Sequence, residues 1–314
     1  MHWWKSYWFR PAPLLDLAVL RITAVGLQLW LMVSSETIGL DDVKRNAGMP
    51  DSTYWPLISL RLVLLPFGWG YRPPEDVLVA LWWLTLVCGV LAFIGFRSNA
   101  NLVVFAIGSF VINAYIYSFG DLHHRQAVML MALAVLALSP AGRVLSVDAW
   151  WAARNPATVG TAPSGLLGAR DEFARWPILL LQWFFVLMYF SAFVSKIIMN
   201  GPEWINGYTL QYYLMRDGLR FDSAFGLWFA QFHELIKFSQ WVVIIFQATF
   251  WVAVLFPVTR WVYVPLGLGM HIFILLTMKA DFYQWMALYV VFIPWTELFR
   301  RLSQRSRERT AEYA

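Results

Sequence analysis

The sequence predicts an all-α fold, a polytopic helical bundle set in a membrane. Three observations predict it. Hydrophobic residues make up 60% of the 314 and charged residues only 14%, where a soluble domain carries roughly a quarter. Apolar runs near the length that crosses a bilayer, ~17–25 residues, recur along the chain. The 19 Trp and 13 Tyr suit the aromatic belts of membrane surfaces.

Eight runs qualify as spans: Leu14–Val33, Val77–Phe96, Asn101–Ser118, Ala127–Leu138, Pro177–Ile198, Gln240–Val258, Trp261–Met278 and Phe282–Phe299. Ala127–Leu138 is short unless it extends back through His123 and His124. Tyr54–Trp69, with Arg61 and two prolines, and Ser223–Phe238, with His233, Glu234 and Lys237, look amphipathic and interfacial. Trp150–Arg175 is rich in Gly, Pro, Ser and Thr and reads as the main flexible loop. No internal repeat or low-complexity tract is seen. The expected organisation is one membrane domain, residues 1–299, and a basic cytoplasmic tail, residues 300–314. Met1–Arg10 is basic and aromatic, but no small-residue cleavage site follows, so the first span is expected to be retained.

Orientation follows from Lys and Arg. Of the 24, Arg21 and Lys196 lie within spans. With the N-terminus inside, the other 22 divide into thirteen inside and nine outside. Both termini are therefore expected in the cytoplasm. The net charge of +5 gathers in the tail and is a topology signal, so no nucleic-acid partner is expected. A single cysteine, Cys88, excludes an intrachain disulfide and any multi-Cys metal site.

Lys196 stands near the end of Ile178–Ile198, a run otherwise free of charge. A lysine costs ~2.5–3.5 kcal/mol at a bilayer centre and less toward the surface. It either snorkels its ammonium to the headgroups or serves a site. This topology puts Lys196, His123, His124, Lys279 and Asp281 toward the outer face, with His271 about halfway along its span. Asp16 and Arg21 lie at the inner end. Five residues apart, they share a helix face poorly and are expected to pair elsewhere.

Three words carry a resemblance. Tyr189-Phe190-Ser191-Ala192-Phe193-Val194-Ser195-Lys196 is followed by Trp204-Ile205-Asn206-Gly207-Tyr208. Leu145-Ser146-Val147-Asp148-Ala149-Trp150 precedes them, and Met270-His271 follows. In order and spacing these resemble the vitamin K-dependent gamma-carboxylase family and the wider group of horizontally transferred transmembrane (HTTM) domains, from Pro11 to Phe299. The resemblance implies an oxygen-dependent enzyme whose lysine deprotonates reduced vitamin K or menaquinone. The quinol becomes an epoxide, and the base so formed removes a proton next to a carboxylate for capture by carbon dioxide. Lys196 would then be the base, and a neutral amine in an apolar pocket is a competent one. His124 would assist it, with His123 its neighbour in the same place, and His271 would stand at a Phe-His motif. Tyr189, Trp204 and Tyr208 would border the quinol. His271 could equally be a core histidine bonded to a neighbouring helix.

The chain departs from the family in two ways. It stops at Ala314, so the large non-membrane domain that recognises the protein substrate is expected to be missing, and the family's disulfide cannot form. An exported protein or peptide substrate is a possible partner beside lipid and quinone. The rival functions are a non-enzymatic lipid- or quinone-binding scaffold and a maturation factor for an exported partner. The adjacent His123 and His124 point to different helix faces and no His-x-x-x-His pattern occurs, so no metal site is expected. A phosphate loop, a dinucleotide fingerprint and a hydrolase nucleophile motif are also missing.

Overall fold

The computed structural model describes residues 2–34, 38–120, 124–154 and 165–312. Among these the fold is all-α, apart from one two-stranded ladder that pairs Ala12–Pro13 (β1) antiparallel with Arg170–Asp171 (β2). Five helical segments are long and apolar enough to cross a membrane: Leu14–Val33, Glu75–Ile94, Ser98–Tyr117, Glu172–Met199 and Pro257–Met278. The chain divides into two compact units, Met1–Ile178 with Ile293–Ala314, and Leu179–Phe292.

The first unit opens with α1 (His2–Phe9), α2 (Leu14–Val33), α3 (Leu40–Ala47) and α4 (Ile58–Val63). It continues with α5 (Glu75–Ile94), α6 (Ser98–Tyr117), α7 (Ala127–Ala137) and α8 (Val147–Ala152). Small residues bring the long helices close. A Cβ at Gly89 of α5 would lie 2.5 Å from the Phe105 ring of α6 and 2.7 Å from Leu29 of α2, and Gly108 of α6 lies directly on Thr85 of α5. At 11 residues, α7 is ~16 Å long, about half the hydrocarbon thickness. The stretch Tyr54–Trp69, expected to be interfacial, exposes apolar side chains on α4 and beside it, among them Trp55 and Phe67.

One end of this unit is tied by a polar joint. Gly95 ends α5 in the left-handed region at φ 75°. Arg97 N donates to Asp148 Oδ1 at 2.8 Å. Ser98 donates to Asp148 Oδ2 from both N, at 2.7 Å, and Oγ, at 2.8 Å. The Asp148 carboxylate thus caps α6 from fifty residues away, a favourable place for a negative charge. Ser146 caps α8 by accepting from Ala149 N at 2.9 Å. Arg21, fully buried on α2, donates to the carbonyls of Ala141, at 3.0 Å, and Leu145, at 2.5 Å.

Arg72 ties another part of the unit. Its Nη2 donates to the carbonyls of Asn46, Ala47 and Met49 at 2.8–3.0 Å, and its Nη1 pairs with Asp51. The guanidinium lies 5.6 Å from the Tyr54 ring. The Tyr54 hydroxyl donates to Tyr71 O at 3.1 Å. Burial, and then neighbouring Tyr115, push that phenol up to about 12. The neutral phenol is therefore the form the fold prefers. Its stabilisation is complete below the ordinary tyrosine range and is lost as pH rises toward 12. The unfolding midpoint is expected to fall between about pH 10 and pH 12, and Tyr54→Phe to flatten that fall; a slope unchanged in Tyr54→Phe would refute it.

The second unit holds α9 (Arg175–Phe193), whose first residues belong to unit 1, and α10 (Tyr208–Arg220), α11 (Ala224–Phe229) and α12 (His233–Thr249). It ends with α13 (Val252–Leu255), α14 (Arg260–Met278) and α15 (Tyr283–Leu288). The chain then returns to the first unit as α16 (Trp295–Glu312). There Thr296 donates to Asp16 Oδ1 of α2 from both N and Oγ1 at 2.8 Å. Asp16 and Arg21 thus have separate partners, as expected.

Two expected spans differ from the helices formed. Gln240–Val258 is not one helix: α12 starts seven residues earlier, at His233, and closes at Thr249. Ser223–Phe238 is consequently α11 plus the first turns of α12. Phe282–Phe299 is broken into α15, a 3-10 turn at Tyr289–Phe292, and α16. Pro294 lacks an N–H and restricts Ile293, so a helix cannot run through it. The expected boundary between membrane domain and tail, at 299–300, falls inside α16. The loop Trp150–Arg175 includes the last turn of α8, β2 and a 3-10 turn; its residues 155–164 lie outside the described set.

Candidate functional site

Lys196 lies in a π-helical stretch, Val194–Met199, that continues α9. A π turn inserts an extra residue and re-aims the side chains that follow, and such turns concentrate at functional sites. Here the Lys196 amine folds back along its own helix. Nζ lies 3.5 Å from Ala192 O and donates to Gln247 Oε1 of α12 at 3.2 Å. It sits 5.4 Å from the Trp204 ring, within cation–π range. Among the described residues no carboxylate pairs with it. Beyond it Ile198 and Met199 are 68% and 77% exposed, so the amine turns away from the helix end and the apolar side chains remain outside.

Trp204 belongs to a 3-10 helix, Pro202–Asn206, that Gly207 terminates at φ 101°. A Cβ on Gly207 would lie 2.7 Å from the His233 ring. Tyr208 tilts over the same imidazole at 4.4 Å. Gln211 Nε2 donates to Ala230 O at 2.8 Å, which leaves Gln211 Oε1 to accept. It lies 2.9 Å from His233 Nδ1, so Nδ1 carries the proton in that bond. The Trp-x-x-Gly-Tyr word thus places its Trp on Lys196 and its Gly-Tyr on His233, which the sequence marked only as part of an amphipathic stretch. Gly207→Ala is expected to cost ~2 kcal/mol or more, from the left-handed backbone and the crowded imidazole together. Thermal unfolding tests it, and a shift within error of wild type would refute it.

A second cluster lies within the same unit. Tyr189 Oη is 3.0 Å from His271 Nε2 and 2.7 Å from Tyr289 Oη. The three residues are 4%, 4% and 1% exposed. Phe246, Phe250 and Trp285 surround the Tyr189 ring at 4.8–5.4 Å. Gly267 makes room for the Tyr289 hydroxyl, which a Cβ there would overlap. Tyr289 was not foreseen, because its role depends on a partner one hundred residues away.

The structure thus joins Lys196 to Trp204, and Tyr189 to His271; Tyr208 joins His233 and leaves two-thirds of its surface exposed. His123 lies outside the described residues. His124 begins a single 3-10 turn, His124–Gln126, ahead of α7 in the first unit, and only its backbone is described. Ser146 and Asp148 of the Leu145–Trp150 word serve as helix caps. No family model, curated protein or solved structure matches the chain.

Proposed function

We propose that the chain is an integral membrane enzyme acting on a membrane quinol, as the HTTM and gamma-carboxylase resemblance implies, with Lys196 as its base. The observation that carries this is the direction of the lysine. A snorkelling anchor extends its ammonium toward headgroups; Lys196 bends back to Ala192 O and Gln247, with no carboxylate among the described residues to neutralise it. An amine without a carboxylate partner gives up its proton more readily than one that has it, which suits a base.

Reduced menaquinone or vitamin K hydroquinone fits the residues here. Trp204 and Tyr208 offer ring faces, Gln247 an amide, and Ile198 and Met199 an exposed apolar rim for an isoprenoid tail. When bound, a quinol supplies an oxidisable ring and an acidic hydroxyl. Lys196 Nζ takes the hydroxyl proton, Gln247 Oε1 holds the amine in place, and Trp204 covers it. His124 and His271 complete the assignment as assisting groups, with His123 as the alternative to His124. Lipids and an exported protein or peptide are the partners.

The site belongs in the outer half of a bacterial plasma membrane, with eight crossings and both termini cytoplasmic. The five long helices would be completed by α7, by α12 with α13, and by α15 with the start of α16. A tag at either terminus is then expected to resist protease added to intact cells. Cleavage at one end alone would mean an odd number of crossings.

The experiment gives purified protein in lipid nanodiscs reduced menaquinone and oxygen, beside Lys196→Ala, and reads quinone epoxide by mass spectrometry. Epoxide from the wild type alone supports the enzyme. A second reading, a quinone- or lipid-binding protein that keeps the fold, is favoured by one observation: Ser146 and Asp148 are fully used as caps, so their word has a purpose without chemistry. Quinone binding without epoxide from either protein would support it.

A further inference from the structure

The last turn of α1 is pinned to the first unit. Arg175 Nε donates to Tyr7 O at 2.6 Å, and its guanidinium lies 6.0 Å from the Tyr7 ring. Phe9 meets Phe173 edge-on at 5.9 Å. Toward the N-terminus the rings pair along the helix itself, Trp3 with Tyr7 at 6.2 Å and Trp4 with Trp8 at 5.5 Å. Trp3 and Trp4 stay 72% and 54% exposed, and Lys5 beside them is exposed too. The helix closes at Phe9, and α2, long and apolar enough to cross a membrane, opens five residues on at Leu14. So short a link holds α1 at the level where α2 enters the bilayer, the level that indole rings favour.

Two cations gather at the pinned end. Arg10 stands close enough to Arg175 for their charges to repel. Neither pairs with a carboxylate among the described residues. The ladder sets Asp171 opposite Ala12, two residues from Arg10, but its carboxylate pairs with Arg143 and accepts from Phe173 N. Glu172 is exposed and makes no ion pair among the described residues. The two terminal nitrogens of Arg175 have no hydrogen-bond partner among the described residues, so they remain able to donate. Like charges drawn together without an acid cost energy that an anion removes, and a guanidinium matches a phosphate in shape as well as charge.

We propose that α1 with Arg10 and Arg175 is a docking face for the headgroups of anionic phospholipids. Trp3 and Trp4 sit among the headgroups, Lys5 adds a point charge, and lipid phosphate balances the two guanidiniums. Exposed indoles beside the cations, at the mouth of a span, suit a lipid; an anion dissolved in water has no use for them. A zwitterionic headgroup brings its own cation and leaves the arginine repulsion in place, so the face selects lipids of net negative charge. The proposal is independent of any chemistry at Lys196.

The test uses the full chain in nanodiscs, with a fluorophore on Ser6→Cys in a Cys88→Ala background. It reads quenching by trace phosphatidylglycerol or phosphatidylcholine that carries a nitroxide on its headgroup. The expected result is a preference for phosphatidylglycerol of about tenfold, since a basic residue near an anionic surface contributes about fivefold. Arg10→Gln/Arg175→Gln is expected to bring that preference within about twofold of none, with phosphatidylcholine quenching unchanged. Arg305→Gln, which removes an exposed cation of α16, is expected to leave the preference as it is. Equal quenching by the two lipids in the parent protein overturns the proposal. So does a preference that survives the double variant, or one lost as fully in Arg305→Gln. Inorganic phosphate at matched ionic strength is the remaining arm: if it relieves the phosphatidylglycerol quenching, the face takes a free anion and the lipid is overturned. The lipid comparison and the phosphate arm need no arginine variant, so misfolding of the double variant does not protect the proposal.

Discussion

Lys196→Ala is expected to lower quinol-dependent epoxide formation at least a hundredfold while the protein still inserts and folds. A positioned general base contributes typically ~10²–10⁴ in rate, and among the described residues Lys196 is the lysine that bonds Gln247 and lies over Trp204. The fold should tolerate the loss. Lys196 is partly exposed, its bond to Gln247 is 3.2 Å and its contact with Ala192 O is 3.5 Å, so the structural cost is about 1 kcal/mol or less. Lys196→Arg is the sharper variant. A guanidinium can stack on Trp204 and bond Gln247 Oε1, but it does not give up its proton. It is expected to retain quinone binding, read by fluorescence quenching of Trp204, and to lose turnover as completely as alanine. Equal turnover in wild type and Lys196→Ala would remove Lys196 from the chemistry. Activity in Lys196→Arg with none in Lys196→Ala would make the group an electrostatic clamp.

What the sequence revealed and what it hid follow from the range of each interaction. The five runs Leu14–Val33, Val77–Phe96, Asn101–Ser118, Pro177–Ile198 and Trp261–Met278, each matched by a helix long and apolar enough to cross a membrane, were legible because hydropathy belongs to each residue alone and a bilayer sets the length. The break at Pro294 was present in the sequence but lay inside an apolar run that hydropathy carried across it. The start of α12 was hidden by His233, Glu234 and Lys237, whose charges made a helical turn resemble a surface segment. Lys196 was conspicuous as a charge in an apolar run, yet the direction of its amine depends on a π turn and on Gln247, fifty-one residues on. The pairing of Tyr189 with His271 and Tyr289 spans 82 and 100 residues, and no local pattern announces such a distance. Asp148 shows the same limit. Its word carried only the family resemblance, and the carboxylate turns out to cap a helix that begins fifty residues earlier.

That joint carries the largest stability effect expected here. Gly95→Ala is expected to destabilise the protein by ~3 kcal/mol or more. One part is backbone strain: φ is 75°, and a residue with a Cβ loses ~1–2 kcal/mol in the left-handed region. The larger part is contact. A Cβ at Gly95 would overlap the Ser146 side chain and approach Arg21 Nη1 to 2.8 Å. Neither neighbour can retreat cheaply. Ser146 is held by its cap bond to Ala149 N, and Arg21 is a fully buried cation whose bonds to Ala141 O and Leu145 O would be disturbed together. Gly120→Ala separates the two parts. Its φ is 95°, but nothing lies within 4 Å of the added atom, so it should show the strain alone, about 1 kcal/mol. The joint also makes Asp148→Asn informative. Both carboxylate oxygens accept, from Arg97 N, Ser98 N and Ser98 Oγ. An amide has one oxygen, and whichever way it turns, its NH2 faces a donor. Asp148→Asn should therefore cost about as much as Asp148→Ala, ~2 kcal/mol. Unfolding of all four variants in mixed micelles decides the matter. A Gly95→Ala no less stable than Gly120→Ala would mean that α5 and the Ser146 turn can part without cost, and the word around Asp148 would then need a reason other than the joint.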